Sequence, residues 1–317
     1  MQVAKPTGPG LLKRPYNWIQ EDSLAGMARR KALMGYIFLV PTMFGLMVFT
    51  VGPVFVSFAL SLFSWNVIDP PEFIGVENYS RLLKDEVVIT SFSNTAIFVF
   101  LTVSLQMTLA LLLALAIQQK IARWLRYTYR TAFFIPLLTS SAAIAIVMAY
   151  MFNKDFGPIN YYLGMVGIPR VSWLSSSQVV LITIVLTYVW QHLGFTLIVF
   201  TGGLGNMSKD VQEAADVDGA SGLRRLWHIT LPMLSPTILF AAVVGVISAL
   251  QIFDQPYVLT RGGPGDSSRT VVMVIFEAAF KNLQIGYGSA IAVILFLVIL
   301  LVTAFQFWLS KRWVFYQ

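Results

Sequence analysis

The hydrophobic positions of this chain fall into long runs that are interrupted by short polar segments. Six runs reach about twenty residues or more, the length that crosses a hydrocarbon core roughly 30 Å thick. The runs are continuous and do not alternate with polar residues, which favours helices over a β-barrel. The pattern therefore predicts an all-α membrane protein, a polytopic helical bundle with six main transmembrane helices. The predicted spans are residues 33–63, 92–117, 131–152, 178–200, 237–258 and 286–310.

Prolines and one short apolar run change the predicted shape and ends of these spans. Pro41 and Pro53 should kink the long first span or mark its ends, and Pro136 interrupts the third. The apolar run 270–280 is too short to cross as a helix, and it is predicted to lie at the interface or to pack against the bundle. The first span lacks a small-residue cleavage site at a suitable distance, which favours an uncleaved span over a signal peptide.

Composition fixes the broad class. Hydrophobic residues make up 57% of the 317 residues and charged residues only 12%, whereas soluble domains carry about a quarter charged residues. There is no cysteine, so disulfides, thiolate nucleophiles and cysteine metal sites are excluded. The two histidines, His192 and His228, are too few to predict a metal site.

The positive charge predicts an orientation. The net charge is +7, and 15 of the 22 Lys and Arg residues fall in alternate segments on one side of the predicted spans. Such residues concentrate on the cytoplasmic side, so both termini are predicted to be cytoplasmic. Membrane orientation explains this charge better than nucleic-acid binding does. The predicted organisation is a cytoplasmic segment 1–31, a transmembrane domain 32–310 and a cytoplasmic tail 311–317.

A polar stretch on the cytoplasmic side reads EAADVDGASGLRRLWHITLP. Residues 209–217 are predicted to form a short helix, and Gly219 permits a sharp turn after it. A second short helix over residues 221–228 is predicted to stop at Pro232 and Pro236 before the fifth span begins. The residues alone leave two alternatives open: a rigid two-helix unit that docks into a partner, or a plain connecting loop.

This stretch resembles the EAA loop of permease subunits in binding-protein-dependent ABC importers. The matching residues are Glu213, Ala214, Ala215, Asp218, Gly219, Ala220, Ile229, Leu231 and Pro232. The resemblance implies a coupling loop at about residues 207–236, whose helices sit in a cleft on an ATPase subunit that Glu213 contacts. The coupling residues implied are Glu213, Ala214, Ala215, Asp218, Gly219, Ala220 and Pro232.

A second motif narrows the resemblance. Residues 253–280 begin FDQPYVLTRGGP, which is similar to the segment FD-x-x-YVLT-x-GGP of carbohydrate-type permeases such as the larger maltose permease and the A-type glycerol-phosphate permease. Arg261 departs from the commoner small or polar residue. The resemblance implies a type I ABC importer permease fold in a bacterial inner membrane. It also implies a second homologous permease, an ATPase dimer and an extracytoplasmic solute-binding protein as partners.

Polar residues inside the spans indicate a substrate path, because such residues usually face the bundle interior or an aqueous route. Tyr188, His192 and Phe195 are spaced to share a helix face, and so are Gln251 and Asp254. Aromatic rings beside hydrogen-bonding groups suit a sugar. Packing aromatics and a satisfied interior histidine are the alternatives. The candidates are Tyr188, Trp190, Gln191, His192, Phe195, Ser248, Gln251 and Asp254.

These features predict the permease subunit of an ATP-driven importer for an oligosaccharide or related polyol, neutral or acidic. No G-x-x-x-x-G-K-[ST] sequence occurs, and the glycine-rich run 262–269 lacks the lysine, so ATP and magnesium are expected on partner ATPase subunits. No catalytic residue is predicted. A secondary transporter driven by an ion gradient is the alternative, and it would need ionisable relays, for which only His192 and Asp254 are candidates. A membrane-embedded enzyme lacks a clustered acid-base or metal constellation.

Overall fold

The computed structural model describes residues 24–118 and 123–315, and it divides the chain into two compact units, Met1–Val56 and Ser57–Gln317. Most of the predicted N-terminal segment 1–31 and the last two residues of the predicted tail 311–317 lie outside the described residues. The α-helices are α1 (Leu24–Leu46), α2 (Gly52–Leu60), α3 (Glu77–Leu82), α4 (Glu86–Gln118), α5 (Arg123–Leu138), α6 (Ser141–Met151), α7 (Pro158–Met165), α8 (Val180–Gly205), α9 (Lys209–Val217), α10 (Gly222–Arg225), α11 (Leu231–Leu250), α12 (Asp254–Thr260), α13 (Val271–Phe276) and α14 (Ile285–Ser310). Three π-helical turns, Met47–Val51, Leu226–Thr230 and Glu277–Lys281, extend α1, α10 and α13, and the short strands β1 (Phe63–Ser64) and β2 (Glu72–Phe73) pair antiparallel.

Helices long and apolar enough to cross a membrane dominate the described residues. There are five, or up to six if one bent pair of helices counts as a single span. They confirm the predicted all-α polytopic class, with the second span beginning earlier than predicted, at Glu86. The five are Lys31–Leu60, Glu86–Gln118, Val180–Gly205, Gly222–Leu250 and Ile285–Ser310.

The predicted third span, 131–152, is a bent pair of helices. Residues Tyr127–Leu138 and Ser141–Met151 meet at 102°. Pro136 lies inside α5, and the break comes later, at Ser140, whose ψ of 130° is not helical. The side-chain amide of Gln191 in α8 donates to the Thr139 carbonyl at 3.2 Å, so the bend is held by a hydrogen bond from a neighbouring helix.

The fifth span begins earlier than predicted, because Pro232 and Pro236 do not stop the preceding helix. The chain stays helical from Gly222 to Leu250. A proline ring clashes with the carbonyl of residue i−4 in a regular α-helix. Here the π-helical turn Leu226–Thr230, which we call a wide turn, ends two residues before Pro232. It is closed by the hydrogen bond from the Leu231 N–H to the Leu226 carbonyl, so the backbone spacing differs from that of a regular α-helix at this point. The predicted second cytoplasmic helix and the fifth span are therefore one continuous rod.

The first membrane-crossing helix carries the same arrangement. The wide turn Met47–Val51 lies directly before Pro53 and is closed by the bond from the Gly52 N–H to the Met47 carbonyl. Pro41 lies inside α1. Two of the three wide turns in the described residues thus precede a proline at the same offset, which indicates that they accommodate the proline ring.

The fifth span also ends earlier than predicted, at Leu250 instead of residue 258. Gln251 has left the helix, and a separate helix begins at Asp254. Pro256 favours the break, because in a continuous helix its ring would clash with the carbonyl of Ile252, whereas proline is tolerated in the first turn of a new helix. Gln251 and Asp254 therefore do not share a helix face as predicted.

Helix α8 forms the centre of the larger unit. Of its 18 most apolar consecutive residues 61% are buried, whereas the corresponding share is 22% in α4 and in α14. Its packing against α5 depends on Gly194, since a Cβ there would lie 2.1 Å from the Phe133 carbonyl oxygen. This close approach fixes α5 on the flank of α8.

The short apolar run 270–280 packs against the bundle. Val271 and Ala278 are buried in a hydrophobic cluster with Val88 of α4 and Ile291 of α14. Of the two predicted alternatives, interfacial or packed, the structure shows the packed arrangement. The carboxylate of Glu277 pairs with Arg269, so the charge that argued against a crossing helix has a partner.

Candidate functional site

A cavity of about 160 Å³ opens where α8, the start of α6 and the turn between α11 and α12 meet. It gathers residues that are far apart in sequence, and its lining combines aromatic rings, hydroxyl groups, amides and one carboxylate. Five of the eight predicted path residues take part. The lining residues are Ser141, Tyr188, His192, Ser248, Gln251, Ile252, Phe253, Asp254 and Gln255.

Tyr188 and His192 form one wall of the cavity. Their rings stack with centroids 3.9 Å apart and planes 16° apart, as expected for residues one helical turn apart. The His192 Nδ1 lies 3.0 Å from the Tyr188 carbonyl oxygen, which can only accept a hydrogen bond. Nδ1 must therefore carry the proton, and in the neutral ring Nε2 is left as an acceptor. The wall thus offers a flat ring surface and one acceptor nitrogen.

Two buried amides lie behind this wall. The side-chain nitrogen Nε2 of Gln191 donates to the Ser141 hydroxyl at 3.1 Å, and Nε2 of Gln255 donates to the side-chain oxygen Oε1 of Gln191 at 2.6 Å. Gln255 is only 1% exposed, and its own side-chain oxygen Oε1 has no hydrogen-bond partner among the described residues. A buried acceptor without a partner carries a free-energy cost that a bound hydroxyl group could remove.

The remaining path candidates lie elsewhere. Gln191 is buried and supports the cavity without lining it, and Trp190 points away with 47% of its surface exposed. Phe195 is not among the lining residues, because seven helical residues place it about 10 Å along the axis from Tyr188. The aromatic stripe predicted to run along α8 is therefore confined to one turn.

Four of the nine lining residues are not predicted from the sequence: Ser141, Ile252, Phe253 and Gln255. Ser141 reaches the cavity only because the third span bends at Ser140, and the sequence gives no direct signal for that geometry. Gln255 did have a signal, a polar residue within an apolar stretch. The predicted fifth span runs unbroken through this region. It therefore does not anticipate the new helix α12, which brings Gln255 to the cavity.

The polar stretch after α8 folds as the predicted helix, turn and helix. Helix α9 spans Lys209–Val217, and Gly219 has a φ of 67°, which confirms the predicted turn. The Ala220 N–H donates to the Ala215 carbonyl at 2.9 Å, so Gly219 is the left-handed residue of a Schellman cap. Ala215 is buried, whereas Glu213 is exposed. This α9–α10 segment is an ordered elbow and not a plain connecting loop.

The elbow presents large apolar side chains as well as charges. Val217, Leu223 and Trp227 are 88%, 74% and 65% exposed. Exposed large apolar groups on a polar segment are typical of an interaction surface.

The end of the described chain docks onto the base of this elbow. Pro236 has no N–H to donate to the Pro232 carbonyl, and the Ser235 hydroxyl donates to that carbonyl at 2.5 Å instead. The same hydroxyl oxygen accepts the N–H of Phe315 at 2.9 Å. Ser235 is only 2% exposed, so the two bonds are shielded from water. The tail is thus attached where the helix lacks a backbone hydrogen bond.

We expect Phe315→Pro to loosen the tail, since proline removes the donor N–H. One hydrogen bond contributes about 1 kcal/mol, so hydrogen exchange of the Val314 amide, measured by NMR or mass spectrometry, should accelerate about fivefold. Phe315→Ala keeps the N–H and is the matched control, while Ser235→Ala removes the acceptor and should behave like the proline variant. Equal protection in the Pro and Ala variants at position 315 would contradict this role of the N–H.

A polytopic helical bundle with a polar cavity between its spans and an ordered elbow at one end defines a membrane transport protein. Residues 106–314 match the family described as binding-protein-dependent transport system inner membrane component. The chain belongs to this family.

The described residues contain no group of three or more His, Cys, Asp or Glu that could hold a metal ion.

Relatives along nearly the whole chain agree with this assignment. The probable ABC transporter permease protein YesP of Bacillus subtilis is 35% identical over 294 residues, covering 91% of this chain and 94% of that protein. The sulfoquinovosyl glycerol transport system permease protein SmoG of Agrobacterium fabrum is 34% identical and covers 86% of this chain and 88% of its own length. The arabinooligosaccharides transport system permease protein AraP of Bacillus subtilis is 30% identical, with 96% and 97% covered.

A solved structure supports the fold. A chain in the crystal structure of a bacterial ABC transporter involved in the import of the acidic polysaccharide alginate superimposes with a TM-score of 0.80 and 22% identity. The match covers 92% of this chain and 99% of that one. The predicted resemblance to ABC importer permeases and the type I permease fold are therefore confirmed.

Proposed function

We propose that this chain forms half of the translocation path for an oligosaccharide or related polyol in an ATP-driven importer. The observation that carries the proposal is the cavity, in which the stacked Tyr188 and His192 rings face hydrogen-bonding groups. Sugars have apolar ring faces surrounded by hydroxyl groups, so a ring wall with amide, hydroxyl and carboxylate neighbours matches both parts of their surface. We infer that the side-chain oxygen of Gln255, which has no hydrogen-bond partner among the described residues and belongs to a residue that lines the cavity, accepts from a substrate hydroxyl.

The names of the relatives support a saccharide or polyol cargo. They include permeases for sulfoquinovosyl glycerol, arabinooligosaccharides, trehalose or maltose, and sn-glycerol-3-phosphate. Both neutral and anionic molecules occur among these substrates. In this chain Asp254 is the charged group that lines the cavity, which favours a neutral substrate over an anionic one.

The cavity volume supports a two-permease assembly. Sites for drug-sized ligands usually measure about 300–1,000 Å³, so 160 Å³ in one chain is too small for an oligosaccharide. A second homologous permease would supply the remaining wall. A solute-binding protein would deliver the substrate from outside, in keeping with a similar chain of TM-score 0.78 from an alginate transporter in complex with an alginate pentasaccharide-bound periplasmic protein.

ATP hydrolysis is assigned to an ATPase dimer that docks on the α9–α10 segment. The exposed Glu213 supplies a charge, and the exposed Val217, Leu223 and Trp227 supply apolar contact. Because α10 and α11 belong to one continuous helix, a movement of the elbow would also move the transmembrane span that ends at the cavity. From the distribution of Lys and Arg we infer that both termini and the elbow are cytoplasmic, and we assign ATP and magnesium to the partner subunits, with no metal bound by this chain.

The test is uptake by proteoliposomes that contain the complete importer. Saccharide should accumulate only with ATP inside and the binding protein outside, and ionophores that collapse proton and sodium gradients should have no effect while ATP is held constant. Uptake that persists without ATP and stops with an ionophore would instead identify the chain as a secondary transporter.

A further inference from the structure

The segment between α6 and α8 is tied into a fixed shape by one buried side chain. Asn160 is 4% exposed, and its amide nitrogen donates to the carbonyls of Lys154 and Val171 at 3.0 and 2.9 Å. Its carbonyl oxygen accepts the Val171 N–H at 3.1 Å and the Trp173 indole N–H at 3.0 Å. All the hydrogen-bonding capacity of this amide is used within the segment, which indicates a preorganised structure and not a loose connection.

This segment and the end of α6 line an open pocket of about 620 Å³, which we call the α7 pocket. Four aromatic rings line it in two pairs. Tyr150 and Phe156 have centroids 6.0 Å apart, and Tyr161 and Tyr162 have centroids 5.5 Å apart. Each of the four side chains is between 56% and 66% exposed, so ring surface remains available.

One acidic and one basic residue also line the pocket, together with smaller contributions that include Pro158 and Met165. The Arg170 guanidinium and the Asp155 carboxylate are 3.9 Å apart, with 64% and 76% of their side chains exposed. An exposed pair at this distance contributes little stability and leaves most of its donors and acceptors free. The pocket therefore offers ring faces, tyrosine hydroxyls and charged hydrogen-bonding groups.

The pocket is separate from the transmembrane cavity and lies at the other end of α8 from the elbow. The elbow follows the C-terminal end of α8, whereas the pocket precedes its N-terminal end, so one span separates the two. With the elbow on the cytoplasmic side, the pocket faces outward. Its 620 Å³ fall within the usual size of small-molecule sites and exceed the 160 Å³ of the transmembrane cavity.

We propose that the α7 pocket is an accessory saccharide-binding site on the outer face of the permease. The naming of a saccharide rests on the proposed function. The rings would stack on sugar faces while Asp155, Arg170 and the tyrosine hydroxyls bind the surrounding hydroxyl groups. An acyl chain fits less well, because insertion would desolvate Asp155 and Arg170. The site would hold part of an oligosaccharide outside the spans, so its contribution should grow with the length of the substrate.

The test measures saccharide binding to the purified permease and ATPase complex in nanodiscs without the binding protein. The probes are maltotetraose, an arabinotetraose and an alginate tetrasaccharide, read by saturation-transfer NMR and calorimetry. The double variant Tyr161→Ala and Tyr162→Ala should weaken binding of the tetrasaccharide at least about tenfold. The matched double Phe variant keeps the rings and should stay within about threefold of the original chain. Phe280→Ala, a change at an exposed ring outside the pocket, should have no effect.

Two results would overturn the proposal: no probe binds the original chain, or the double Ala variant binds the probes normally. A separate pull-down with the binding protein is the second measurement, and a double Ala variant that binds the probes normally but loses this association would identify a protein-docking surface. If the double Ala variant does not fold, Arg170→Gln with Asp155→Asn replaces it under the same criteria. ATP-driven uptake of the corresponding disaccharides should persist in all variants, so its absence from the original chain would count against the proposed function instead.

Discussion

Reversing the charge at Glu213 should abolish ATP-driven uptake while the permease still inserts and folds. The side chain is exposed on α9, where the proposed ATPase surface lies, and the change removes no buried contact. Placing a like charge against a complementary surface costs several kcal/mol, so ATPase association should weaken roughly a hundredfold in Glu213→Lys. Co-purification of the ATPase with the permease, together with uptake in proteoliposomes, measures the effect.

Glu72→Lys is the matched control, since it makes the same charge change at an exposed residue on the other side of the predicted membrane. It should leave uptake unchanged. Gly219→Pro tests the same elbow through its backbone, because proline cannot adopt the φ of 67° that closes the Schellman cap. Normal ATPase association and uptake in both elbow variants would contradict the coupling role.

Filling the transmembrane cavity should stop transport without affecting ATPase association. Ser248 lines the cavity near the end of α11 and is exposed to it, so Ser248→Trp places an indole in a space of about 160 Å³. Because a ligand must enter this space, we expect uptake to fall at least about tenfold, while the elbow remains unchanged. Initial uptake rates and ATPase co-purification, measured on the same preparations, separate the two effects.

Phe240→Trp controls for the added indole, since Phe240 is an exposed aromatic residue on the same helix outside the cavity. Its uptake should match that of the original chain. If Ser248→Trp transports at the original rate, the cavity is not on the substrate path.

Much of this architecture could be predicted because its signals are local. An apolar run predicts a spanning helix wherever it occurs, so the predicted ends of the spans around α4, α8 and α14 lie within six residues of the observed ends. The elbow was equally accessible, because Gly219 and the short helix before it need only local backbone preferences.

The errors have two physical sources. Pro232 is predicted to end a helix, but a π-helical turn just before it lets the helix continue. The third span bends at Ser140, and the donor that holds the bend is Gln191 on another helix. Such contacts between distant segments leave no signature in the sequence of either segment, so the sequence does not predict Ser141 as a cavity residue. The prediction of Phe195 has a different fault, because it neglects the rise of about 10 Å along α8 from Tyr188.

The absence of cysteine from this chain permits a direct test of the central claim, that the elbow is the contact through which ATP hydrolysis drives transport. Glu213→Cys introduces the only thiol in the permease, and a short bismaleimide can then be applied to the assembled importer with cysteines placed on the ATPase. We expect a cross-link between Cys-substituted position 213 and the ATPase, at a yield that changes when ATP binds. A permease in which position 213 reacts only from the outer face, or never cross-links to the ATPase, would contradict it.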